Sequence, residues 1–134
     1  MATRMVTVNS LKPGSFVIID GAPCKVLSIT TSSPGKHGAA KARIVAIGLI
    51  DGKRRETIKG TDDKIEAPII EKKTGQVIYI QREGEKMKVQ VMDMETYETF
   101  EAEVEDELKE KISEGIEVEY WDIMGYKVVK RIRS

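Results

Sequence analysis

This chain of 134 residues has one cysteine, one histidine and one tryptophan, and few aromatics of any kind. A single cysteine, Cys24, excludes an internal disulfide and fits a reducing compartment. Cys24 and His37 lie thirteen positions apart with no Asn or Asp between them to orient an imidazole, which leaves no nucleophile–base–acid series. One Cys and one His also cannot close a tetrahedral zinc site without carboxylates. Long apolar runs are missing too. The longest, Ile44 to Ile50, is interrupted by Gly48 and is far short of the ~20 residues of a membrane span. With no apolar core at the N-terminus, a cytoplasmic protein without a membrane partner is expected.

Acidic residues are absent between Asp20 and Asp51, where Lys25, Lys36, Lys41 and Arg43 all fall. Residues 1–69 carry seven Lys and four Arg against six acids, a net of +5; residues 70–134 carry eight Lys and three Arg against sixteen acids, a net of −5. An acid-free basic stretch in the first half suits contact with a polyanion, although a chance cluster on one strand face would look the same. The acids of the second half read as a solvated surface, and the basic residues near its end, Lys127, Lys130, Arg131 and Arg133, are the local exceptions.

What the chain does have is short β-patterned runs separated by turn signals. Pro13-Gly14 precedes one run, and Asp20-Gly21 and Asp51-Gly52 each read as a tight hairpin turn. Runs at 15–19, 25–31, 39–50, 54–59 and 64–69 predict a small closed or nearly closed barrel. After Pro68 the pattern restarts, with Lys72-Lys73-Thr74-Gly75 as a polar turn. Met87, Val89 and Val91 alternate with polar residues, as do Ile116, Val118 and Tyr120. Val104, Leu108 and Ile112 recur every four residues and predict one short helix over about 103–114, stopped by Gly115. Three strands, a helix and two strands is the order of an OB-fold. The fold class expected is therefore all-β, with domains at 1–69 and 70–134.

One segment stands out: Thr30-Thr31-Ser32-Ser33-Pro34-Gly35-Lys36-His37-Gly38-Ala39-Ala40-Lys41, small and turn-forming residues between two apolar strands. Pro34 pre-sets a turn, Gly35 and Gly38 permit backbone geometry closed to other residues, and Lys36 and His37 are expected at an exposed tip. It is not a phosphate-binding P-loop, because Thr30 and His37 stand where that motif needs Gly and Ser/Thr. A small hydrolase built on Lys36 with Ser32 or Ser33 lacks both the burial that activates a lysine and an oxyanion partner. On physical grounds alone, a soluble hairpin tip and a functional loop remain equally good readings.

The string from Ser33 to Arg43, with Gly35-Lys36-His37-Gly38 at its centre, resembles the hypusination loop of the translation initiation factor 5A family. Ser10-Leu11-Lys12-Pro13-Gly14 and Asp20-Gly21-Ala22-Pro23-Cys24-Lys25-Val26 resemble that family's first barrel, and the tail from near Pro68 resembles its OB domain. Ser33-Pro34 and Ala39 stand where eukaryotic members have Lys-Thr and His, which resembles the archaeal branch. The resemblance implies an SH3-like barrel followed by the OB-fold. It also implies a non-enzymatic factor, with no bound cofactor, that binds the ribosome and relieves stalling at consecutive prolines. Deoxyhypusine synthase would move an aminobutyl group from spermidine onto Lys36, with NAD serving that enzyme only. Hypusine or deoxyhypusine at Lys36 would then lie against the acceptor end of peptidyl-tRNA. Pro34, Gly35, His37 and Gly38 would support the modified residue, and Lys25, Lys41 and Arg43 are the candidates for RNA or ribosome contact. The alternative is a general single-stranded RNA-binding OB module that stacks bases on aromatics such as Tyr79.

Overall fold

The computed structural model describes residues 3–32 and 40–133. Contacts divide the chain into two compact units, Met1–Ile69 and Ile70–Ser134.

The first unit holds β1 (Thr3–Thr7), β2 (Phe16–Ile19), β3 (Ala22–Ser32), β4 (Lys41–Gly48), β5 (Arg54–Gly60) and β6 (Lys64–Pro68). Strands β2-β3-β4-β5 form an antiparallel sheet in that order, and β1 pairs with β6 as a separate two-stranded ribbon. The arrangement is a half-barrel rather than a fully closed one. Asp20 and Gly21 both take positive φ, 53° and 76°, as a tight hairpin turn between β2 and β3 requires. The second Asp-Gly signal is a correction. Asp51 does not have positive φ, and β4 ends at Gly48, so residues 49–53 make a longer loop. The Asp51 carboxylate holds that loop by accepting from the Lys53 amide at 2.9 Å and from both guanidinium arms of Arg55, at 3.0 and 2.7 Å. The core of the unit consists of alternate residues of the sheet, including Val17, Cys24, Val26, Ala42, Ile44 and Ala46.

The second unit is a closed barrel ordered β10-β11-β9-β8-β7. Its strands are β7 (Ile70–Glu83), β8 (Lys86–Asp93), β9 (Thr99–Val104), β10 (Glu117–Ile123) and β11 (Tyr126–Ile132). All neighbours are antiparallel except β9 and β11, whose short parallel pairing helps to close the ring. The polar turn expected at residues 72–75 is instead part of β7, paired residue for residue with β10. Lys72 and Lys73 are exposed there, while Gly75 is buried, and a Cβ on it would meet Val91 Cγ1 at 2.4 Å and Tyr120 Cδ1 at 3.3 Å. Gly75→Ala is accordingly expected to lower the stability of this unit by ~1–3 kcal/mol through overpacking, read as an earlier denaturant midpoint. A midpoint equal to wild type would show that the barrel widens there at no cost.

The helix expected over 103–114 is absent. Glu103 and Val104 complete β9, and only Asp106–Leu108 forms a short 3-10 turn. Strand pairing takes the first residues of the periodic stretch, and the remainder is too short to recover the cost of starting a helix. The apolar spacing still serves the core. Val104 and Ile112 are buried and Leu108 packs against them, brought inward by the strand end and successive turns.

Candidate functional site

Strands β3 and β4 form a long hairpin stem. They pair from Cys24↔Gly48 to Ser32↔Lys41, with one irregularity between Val26 and Ser28 that leaves Leu27 unpaired and half exposed. The stem alternates by the period of two that strands impose. Ala42, Ile44 and Ala46 face the core, and Lys41 and Arg43 face outward. The Ser32↔Lys41 pair brackets the segment that carries Pro34, Gly35, Lys36, His37 and Gly38, and those five residues lie outside the described structure.

The remaining candidates share one surface. Lys25 pairs with Ile47, and Ile47, Arg43 and Lys41 point to the same side of β4, so Lys25, Lys41 and Arg43 all occupy the outer face of the sheet. Register across β4 and β5 adds two residues that sequence reasoning missed. Arg54 lies opposite Ile47 and Glu56 opposite Val45, on this same face. Glu56 Oε1 accepts a hydrogen bond from Arg43 Nη2 at 2.6 Å and forms an ion pair with Arg54 Nη2 at 2.7 Å. The hydrogen bond from Arg43, reinforced by the charges of both arginines, holds the Glu56 carboxyl below its ordinary range. Among the described residues, Lys25 and Lys41 have no acidic partner within ion-pair distance. Four bases against one acid make the face positive, with the two lysines free to meet an anion.

Cys24 is fully buried at the base of the stem, and burial pushes its thiol pKa up. It packs as a small hydrophobe. No group of three or more His, Cys, Asp or Glu side chains among the described residues could hold a metal ion. No described helix is long and apolar enough to cross a membrane.

The second unit offers less to a polyanion. Lys130 pairs with Glu105 at 2.6 Å, and Arg131 and Arg133 both pair with Glu119, at 3.7 and 3.2 Å. Lys127 stands 5.0 Å from the centre of the Phe100 ring. The basic residues near the end of the chain thus spend their charge locally. Of the aromatics, Tyr79 and Tyr97 are exposed, whereas Tyr120 is buried and donates its hydroxyl to Asp93.

Comparison with known proteins places both units. A family profile described as "Translation initiation factor 5A-like, N-terminal" matches residues 1–63, and one described as "Eukaryotic elongation factor 5A hypusine, DNA-binding OB fold" matches residues 69–133. Translation initiation factor 5A of Thermococcus gammatolerans is 52% identical over 133 residues, covering 96% of this chain and 95% of the relative. That of Methanothermobacter thermautotrophicus is 49% identical over 134 residues, with both chains fully covered. The solved structure of a eukaryotic translation initiation factor 5A from Methanococcus jannaschii superimposes with a TM-score of 0.78 at 42% identity, covering 98% of this chain and 95% of that one. With half the residues shared along its whole length with archaeal relatives, this chain belongs to the translation initiation factor 5A family.

Proposed function

We propose that this protein is a cytoplasmic translation elongation factor that binds the ribosome beside peptidyl-tRNA and promotes peptide-bond formation, above all at consecutive prolines. The working group is a hypusine or deoxyhypusine side chain at Lys36, installed by deoxyhypusine synthase from spermidine with that enzyme's NAD. The observation that carries the reading is the stem itself. A hairpin paired out to Ser32↔Lys41, with a positive outer face, carries a Gly-Lys-His-Gly segment between its ends in a chain of this family.

The chemistry follows from what an extended lysine can do. The unmodified side chain is a flexible four-carbon stem ending in a point charge. Aminobutyl addition roughly doubles its length and adds a second cation at neutral pH. Such an arm can lie along the acceptor end of a tRNA and hold it in a reactive pose, which lowers the entropic part of the barrier to peptide transfer. The bond-making stays with the ribosome, so Lys36 positions and does not catalyse. Pro34, Gly35, His37 and Gly38 support that residue, and Lys25, Lys41 and Arg43 contact RNA. The alternative of a general single-stranded RNA binder has weaker support, because three of the four basic residues near the end of the OB unit, Lys130, Arg131 and Arg133, are paired with acids.

The mass of the loop peptide from native protein tests the modification directly. An added aminobutyl group on the peptide containing Lys36 is expected, with or without a further oxygen. A peptide at the mass of plain lysine throughout would remove the basis of this reading.

A further inference from the structure

The geometry points to a phosphate clamp on the outer face of the first unit, formed by Arg43 and Arg54 and held in shape by Glu56. It rests on the reading that this unit works against RNA, and it names the RNA sugar-phosphate backbone as the group bound. Arg43 sits on β4 and Arg54 on β5, and both reach the same oxygen of Glu56, Arg43 as a hydrogen-bond donor at 2.6 Å and Arg54 as an ion-pair partner at 2.7 Å. Their Nη2 atoms therefore lie within about 5.3 Å of each other, the sum of those two contacts. Two guanidinium groups that close would repel without the carboxylate between them.

Arg55 shows what an arginine committed to structure looks like. It gives both Nη atoms to Asp51, and its side chain is only 18% exposed. Arg43 and Arg54 are 55% and 61% exposed and each contributes one Nη atom to Glu56. A guanidinium has five N–H donors in a planar fork suited to phosphate oxygens, so most of each fork remains available. The triad carries net positive charge, and Lys25 and Lys41 on the same face extend the field along β3 and β4. Ile58, paired with Arg43 and 65% exposed, is an apolar side chain on the same face that the sugar side of a nucleotide would cover. Glu56 is a positioning residue here and the two arginines are the contacts. Arg54 is the member that no reading of the 20–51 segment would include.

The test uses the full chain and a short fluorescein-labelled oligouridylate, with anisotropy titrations between roughly 50 and 200 mM salt. Arg43→Ala and Arg54→Ala are each expected to weaken binding about fivefold and to reduce the logarithmic salt slope by ~0.7. Because the two grip one phosphate, the double variant should lose less than about tenfold, where independent contacts would multiply to about 25-fold. Glu56→Ala should make the two losses multiply, and Glu56→Gln, whose amide oxygen still accepts, should keep them coupled. Arg4→Ala, an exposed base on β1 outside this face, sets the level of diffuse charge, and thermal melts check folding. An Arg54→Ala result equal to Arg4→Ala, or losses that multiply in the presence of Glu56, overturns the clamp. Wild-type protein that pellets with ribosomes while Arg54→Ala behaves like the control overturns the clamp alone. Wild-type protein that binds neither ribosomes nor the oligonucleotide overturns the RNA reading with it.

Discussion

Lys36→Arg is expected to leave both units folded and to remove the protein's support of proline-rich translation by tenfold or more. Arginine keeps the positive charge and much of the length, but it has no primary amine for the aminobutyl group to join. A variant that failed only because of lost charge would be rescued by this substitution, so the exchange separates charge from extension. The size follows from the energetics of positioning: losing even ~1.4 kcal/mol of orientation at the transition state is a tenfold loss of rate. The measurement is synthesis of a reporter containing consecutive prolines in cells or extracts depleted of the wild-type factor, beside a proline-free reporter. Equal support of the proline reporter by Lys36→Arg would sink the mechanism proposed for the modified lysine.

The second large effect concerns the barrel of the second unit. Asp93 is a buried carboxylate, 4% exposed, at the end of β8. It accepts the Tyr120 hydroxyl across the barrel and the amides of Glu95 and Thr96 at 2.7 and 2.9 Å, which shape the turn leading to β9. Asp93→Ala would leave three donors without their partner in or beside the core, a loss of ~2–4 kcal/mol. For a unit of this size that is a fall in melting temperature of roughly 10–20 °C. Tyr120→Phe removes only one of the three bonds and should cost about 1 kcal/mol. If Asp93→Ala cost no more than Tyr120→Phe, the turn amides would have no part in holding the barrel.

Acid should reveal the same carboxylate. The Tyr120 hydrogen bond, with the Thr96 and Glu95 amides, lowers the Asp93 pKa to about 2 against the opposing effect of burial. An unfolded aspartate titrates near pH ~3.9. Because the folded value is the lower one, the stabilisation from ionised Asp93 is complete above about pH 4 and is lost as pH falls through 2. The stability gap between wild type and Asp93→Asn should therefore narrow between those limits.

Much of the fold was legible because strands declare themselves by alternation. Met87, Val89 and Val91 point inward as their spacing says, and Asp20-Gly21 turns as its residue types require. The failures have a common cause, which is that a local pattern does not say what lies across from it. Lys72 to Gly75 reads as a turn, yet these residues are a strand whose glycine is required by Val91 and Tyr120. Val104, Leu108 and Ile112 carry a helical period, but β8 and β11 already claim Val104's end of the stretch. Strand β1 was missed because Thr3–Thr7 has a mostly exposed pattern and is defined by its partner β6. The candidate surface divides the same way. Lys25, Lys41 and Arg43 could be proposed from an acid-free stretch of chain, while Arg54 and Glu56 join them only through the β4–β5 register.

The two arms of the stem are not held alike. Lys41, at the end of β4, is paired on one side with Ser32 and on the other with Gly60, and β4 keeps two neighbours along most of its length. Among the described residues, strand β3 has β2 beside it only from Ala22 to Lys25, and from Ser28 to Ser32 its sole strand partner is β4. Opening the outer part of β3 breaks one ladder, whereas opening β4 breaks two, so partial melting of the stem begins on the β3 side. The arm that enters the Lys36 segment is thus the one whose backbone amides reach solvent first, and the arm that leaves it acts as a fixed post.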